Sequence, residues 1–135
     1  MEDKTLAEHE IEVVAGPEAA SEARARVARL GVLQLQRRMP DVQLAVSEIV
    51  TNAVRHGGLR EGVDAVRITV GTGEDSVTIT VEQPTKAEGV GIGEPRLQED
   101  DPGGFGLHLV DQVADSWGHD PGPPGRVWLT FARSP

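Results

Sequence analysis

Apolar residues recur along this chain with two periods. Residues 63–71 alternate, with Val66, Ile68 and Val70 in step, and residues 76–82 do the same with Val77, Ile79 and Val81. A period of two marks a strand with one buried face. Gly73-Glu74-Asp75 between the two runs predicts a hairpin turn. EIEVVA (10–15), closed by Gly16-Pro17, predicts a short strand, and RVWLTF (126–131), after a turn at 121–125, predicts the last one. Elsewhere the period is helical. Residues 18–38 set Ala20, Ala23, Val27 and Leu30 on one stripe, with Gly31 as a bend or a split. Residues 42–56 set Val42, Val46, Ile49 and Ala53 on another. Pro40-Asp41 reads as a stop and N-cap before this helix, and Gly57-Gly58 as its end. Residues 106–117 predict a third helix, with Leu107, Val110, Ala114 and Trp117 in register. Residues 84–103 follow neither period, hold Pro84, Pro95 and Pro102 among glycines and charges, and predict a lid or binding loop. The order is strand, helix, helix, hairpin, lid, helix, strand. It predicts an α+β fold: a two-layer α/β sandwich, with helices on one face of a mixed, mostly antiparallel sheet.

Composition narrows the function. A length of 135 residues fits one domain spanning 1–135. With two Trp, two Phe and no Tyr, the core has to be aliphatic. There is no cysteine, and His9, His56, His108 and His119 form no metal-ligand spacing. A net charge of −9 opposes nucleic-acid binding but leaves nucleotides open, because glycines and a Mg²⁺ ion can hold a triphosphate. No apolar run is long enough to span a membrane, and the polar start MEDKTLAEHE lacks a signal-peptide core. A cytoplasmic location is the expectation.

Three places carry candidate chemistry. On the helix at 42–56, Glu48 and Asn52 lie four residues apart and project together, roughly 90–130° from the centre of the apolar stripe. An amide oxygen and a carboxylate at the edge of a buried face suit phosphoryl transfer: one takes a Mg²⁺ position, the other accepts a hydroxyl proton. A plain solvated polar face has the same spacing. Gly103-Gly104-Phe105-Gly106 precedes a helix, whose free N–H groups can cradle phosphate; a flexible loop ending at a helix reads the same way. GVGIG at 89–93 lacks the third glycine of a dinucleotide fingerprint. Finally, alternation puts Gln83 on the face of Val77, Ile79 and Val81, with Glu82 on the other.

Together SEIVTNAVRHG (47–57), GGFGLHLVDQVADSWG (103–118) and RVWLTF resemble the GHKL (Bergerat-fold) ATPase superfamily of gyrase, histidine kinases and mismatch-repair ATPases. The closest resemblance is to its small bacterial branch, the anti-sigma-factor serine/threonine kinases, and it covers nearly the whole chain. It implies a histidine kinase-like ATPase fold, ATP and Mg²⁺ as cofactors, Glu48 as catalytic base and Asn52 as metal ligand. It also implies Arg55, His56, Gln83 and Thr85 near the nucleotide, with Gly104, Phe105, Gly106 and Leu107 on the phosphate and lid side. Two positions depart from the pattern. Gln83 stands where the family offers an Asp to the adenine amino group, and Arg126 stands where relatives often carry Thr.

The resemblance implies an ATP-dependent kinase that binds a sigma factor and phosphorylates an anti-anti-sigma antagonist, with a homodimer as a further expectation. Lys86 or Arg96 in the lid would reach the γ-phosphate. The alternative, motivated by Gln83 and Arg126, is a partner-binding module with weak or no ATP binding. A detached histidine-kinase catalytic domain would need a phosphoacceptor histidine helix, which these residues do not offer.

Overall fold

Alternating β-branched residues form a sheet here because each strand finds an antiparallel neighbour of the same period. The structure, a computed structural model, describes residues 5–85 and 109–132. Five strands, β1 (Thr5–Val14), β2 (Ala65–Gly73), β3 (Ser76–Gln83), β4 (Ser116–Asp120) and β5 (Gly125–Ala132), form one sheet in the order β1-β2-β3-β5-β4. Every pairing is antiparallel, so the expected mixed sheet is antiparallel throughout. Two helices, α1 (Ala19–Arg29) and α2 (Met39–His56), cover one face, α1 against β1 and α2 against β3. Between them lies a 3₁₀ segment, Leu33–Arg38, and residues 109–113 are helical. The core is aliphatic apart from Phe131, as the composition requires. No helix among the described residues is long and apolar enough to cross a membrane.

Four expectations change. The helix expected over 18–38 ends at Arg29, because Gly31 adopts φ +64°, a left-handed conformation that suits glycine. Pro40 does not stop the chain. It lies in the first turn of α2, where its missing N–H would have had no partner, and Asp41 is a first-turn acid rather than the cap. β1 begins five residues early, since Ala7, Glu8 and His9 pair with Thr72, Gly71 and Val70 on the extended β2. The helix expected over 106–117 stops at 113, and Trp117 belongs to β4 instead.

The second face of the sheet is open and carries a row of alternating charge. Glu12 pairs with Arg67, Arg67 with Glu82, Glu82 with Arg126 and Arg126 with Asp120, one residue from each strand. Arg126 Nε donates to Glu82 Oε2 at 2.8 Å, and Arg67 lies 3.7 Å from both Glu12 and Glu82. Cross-strand pairs of this exposed kind contribute about 0.2–1 kcal/mol each. Their larger effect is to fix the register, because a one-residue slip would bury the whole row.

Asp115 closes the corner between the helical residues 109–113 and β4. Its carboxylate accepts from the Ala132 amide and from Arg38, whose other amine donates to Val113 O at 2.7 Å. The Ala132 amide first, then Arg38, holds the Asp115 carboxyl below its ordinary value of 3.8. A carboxyl depressed in the folded state adds stability above its unfolded value and loses it as pH falls through the folded one. Asp115→Asn is therefore expected to narrow its stability gap to the wild type below about pH 4, measured by urea unfolding at pH 7 and pH 3. With the side chain 43% exposed, the gap is small. A gap that is the same at both pH values would contradict this.

Candidate functional site

The geometry of α2 follows from what its sides touch. Val42, Ala45, Val46, Ile49 and Ala53 are buried on the sheet side. The neighbouring side meets α1, where Gln43 Nε2 donates to Arg24 O at 3.2 Å. At 100° per residue, Glu48, Asn52 and His56 then follow one another along the flank facing away from α1, above the β5–β4 half of the sheet. At a rise of 1.5 Å per residue the three span about 12 Å. Glu48 is half-buried, and Asn52 is only 3% exposed. Asn52 and Ser47 are the two buried polar residues of this helix, so the amide is held inside the protein rather than on a wet surface.

At the C-terminal end of α2 the flank meets β3. Alternation along β3 turns Gln83 inward, and its side chain is 1% exposed. Its amide rests against Gly57, where a Cβ would lie 2.6 Å from Gln83 Nε2 and 2.4 Å from Ala53 O. A residue with a side chain cannot occupy position 57 without moving one of them. Gln83 Nε2 donates to Gly57 O at 3.3 Å and to Thr85 Oγ1 at 2.9 Å, and Thr85 Oγ1 donates to Gly57 O at 2.6 Å. Thr85 is held from its other side as well, because its carbonyl accepts from Gly125 N at 3.0 Å. Gln83 Oε1 in this clasp and His56 Nε2, on the last residue of α2, are buried with no hydrogen-bond partner. Buried polar atoms are nearly always paired, so orphans mark a place where a ligand or water belongs.

The sequence expectations are thus partly brought together. Glu48, Asn52 and His56 share one flank of α2, and Gln83 and Thr85 meet Gly57 just past the end of that helix. Arg55 is exposed and faces a separate opening of ≈ 470 Å³, lined also by Gly16, Pro17, Ala20, Thr51, Val54 and Glu61. Arg126 lies on the opposite face of the sheet, paired with Glu82, and so does not crowd the inner side. Gly104, Phe105, Gly106, Leu107, Lys86, Arg96 and all but the first two residues of the 84–103 lid fall outside the described residues. Gly57 was legible only as a helix stop. Its second role, as the carbonyl that holds Gln83 and Thr85, left no trace in spacing. Among the described residues, no group of three or more His, Cys, Asp or Glu could hold a metal ion by itself.

An antiparallel sheet with helices on one face, and polar side chains aligned along an inner helix, define an α+β sandwich domain. The family model for the histidine kinase-like ATPase domain matches residues 13–131, and the chain belongs to that family. Among solved structures it is similar to the RsbU and RsbW domains of Rv1364c from Mycobacterium tuberculosis. There the TM-score is 0.63 at 21% identity over 96% of this chain, a likeness of fold. This chain spans 33% of that one. No curated protein matches it by sequence.

Proposed function

We propose that this chain is an ATP-binding regulatory protein: an anti-sigma serine/threonine kinase that holds a sigma factor and phosphorylates an antagonist protein. The observation that carries the reading is the buried, unpartnered Gln83 Oε1 at the C-terminal end of α2, the helix whose flank carries Asn52 and Glu48. Each end of a nucleotide meets a group suited to it. The buried, unpaired Gln83 Oε1 is an acceptor awaiting a donor, and the exocyclic amino group of adenine is such a donor. The residues present therefore fit the base.

Asn52, on that flank, offers one oxygen to Mg²⁺. A Mg²⁺ ion held by one protein oxygen plus phosphates and waters is ordinary for this metal. When bound, the ion and ATP supply the transferable phosphoryl group and neutralise its charge. Glu48, one turn further from the base, is placed to take the proton of an incoming serine or threonine hydroxyl on its carboxylate. Glu48 is half-buried rather than enclosed. The likeness in fold to a structure containing an RsbW domain supports a regulatory partner, and the partner's identity belongs to this proposal.

Titration calorimetry with Mg²⁺-ATP tests the reading. Micromolar binding is expected, and binding that is only millimolar or absent would leave the chain as a partner-binding module. Glu48→Gln is expected to retain that binding and to lose phosphoryl transfer to the antagonist by about 10²–10⁴-fold. Transfer at the wild-type rate would remove Glu48 from the role of base.

A further inference from the structure

Gln83 is an amide, and an amide can face a ligand with either its oxygen or its nitrogen. A carboxylate has no such choice. The hydrogen bonds around Gln83 settle which end is engaged in the clasp and which is left without a partner. Thr85 has one hydroxyl hydrogen, and the 2.6 Å bond to Gly57 O commits it. The side of Thr85 Oγ1 that meets Gln83 is therefore a lone pair and accepts from Nε2 at 2.9 Å. Gly57 O, an acceptor only, also takes a hydrogen from Nε2, at 3.3 Å. Turning the amide over would break both bonds and set Oε1 against the Gly57 carbonyl. Oε1 is thus held facing away from the clasp, buried and unpaired.

We infer that Thr85 is a positioning residue that sets base selectivity: it locks Gln83 as a one-way acceptor and so admits 6-aminopurine nucleotides over 6-oxopurine ones. This rests on the nucleotide-site reading above. A 6-oxopurine would bring its own carbonyl against Oε1, two acceptors with no hydrogen between them. Without the Thr85 hydroxyl the shorter of the two bonds is gone. Only the longer bond to Gly57 and the repulsion between that carbonyl and a turned Oε1 hold the amide, a cost that a new bond from Nε2 to a ligand offsets. The amide can then turn and present Nε2, a donor, to the 6-oxo group.

The test compares the affinities of Mg²⁺-ATP and Mg²⁺-ITP, which differ at purine position 6 and in the hydrogen on N1, by calorimetry. The proteins are the wild type, Thr85→Val, Thr85→Ala and Thr85→Ser. In the wild type ATP is expected to bind about tenfold or more tighter than ITP, the discrimination that one unmatched buried hydrogen bond gives. Thr85→Val and Thr85→Ala each bring the ratio to within about threefold, mainly by improving ITP, and Thr85→Ser keeps the wild-type ratio. A general loss of packing would weaken both nucleotides together and leave the ratio unmoved, which would overturn the inference while sparing the site. Wild-type protein that binds neither nucleotide would overturn both. Two variants that lack the hydroxyl in different shapes guard against either one failing to fold.

Discussion

Phe131→Ala is expected to lower the unfolding free energy by about 3–5 kcal/mol, the cost of emptying a large buried aromatic site. Phe131 is 1% exposed and sits near the end of β5, opposite Val77 of β3, as part of an otherwise aliphatic core. It also seats a cation. The Arg38 guanidinium lies 4.9 Å from the ring centre, on its way to Asp115 and Val113 O. Removing the ring therefore loosens the 3₁₀ segment and the corner before β4 as well as leaving a void. A domain of this kind has about 5–15 kcal/mol in total, so the variant would be marginal. Urea unfolding would show the midpoint falling with little change in slope, and Phe131→Leu would recover most of the loss. A cost below about 1.5 kcal/mol, the range of a volume-conserving swap, would mean that the site collapses freely and that Phe131 anchors nothing.

The same corner shows where the sequence was legible and where it was not. The hairpin of β2 and β3 was readable because Val66, Ile68 and Val70, and Val77, Ile79 and Val81, each bury one face, and burial writes a period into the sequence. β4 buries little: Ser116 and Asp120 are exposed and Trp117, Gly118 and His119 only half-buried. Trp117 then fell into helical register with Val110 and Ala114 by coincidence of spacing. What ends the helix is tertiary. The Asp115 amide donates to Thr130 O, its carboxylate takes the Ala132 amide, and these bonds to β5 outweigh one more turn. The start of β1 was hidden for a related reason. Ala7, Glu8 and His9 extend the strand by pairing with β2, and backbone pairing leaves no mark on side-chain type.

At the site the division is similar. The inward aim of Gln83 and the shared flank of Glu48 and Asn52 follow from periods of two and 3.6, and were readable. The clasp of Gln83, Thr85 and Gly57 joins residues 26 and 28 positions apart, and no period reports such a contact. Arg126 shows the converse. As a departure from the family's pattern it drew attention to the base end, whereas its place in the open-face charge row accounts for a large cation at that position.

Asn52→Ala is expected to abolish the part of nucleotide affinity that depends on Mg²⁺, while the chain stays folded. Loss of a group that merely orients a metal ligand costs about 10–100-fold in metal affinity, so loss of the ligand itself should cost at least that. The fold survives for two reasons. Asn52 lies at the edge of the buried stripe rather than in its centre, with Ile49 and Ala53 keeping the contact to the sheet. Alanine also gains helix propensity over asparagine, about 0.5 kcal/mol, which offsets part of any lost hydrogen bond. Circular dichroism should be unchanged, and the urea midpoint should move far less than for Phe131→Ala. Calorimetry with ATP in the presence and absence of Mg²⁺ reads the effect directly. The wild type should bind more tightly with the ion, and the variant should bind equally with or without it, through the base end alone. Because Gln83 and Thr85 are untouched, the preference for a 6-aminopurine should persist in whatever binding is left. A variant that still tightens with Mg²⁺ as the wild type does would place the metal elsewhere and detach Asn52 from the proposed site.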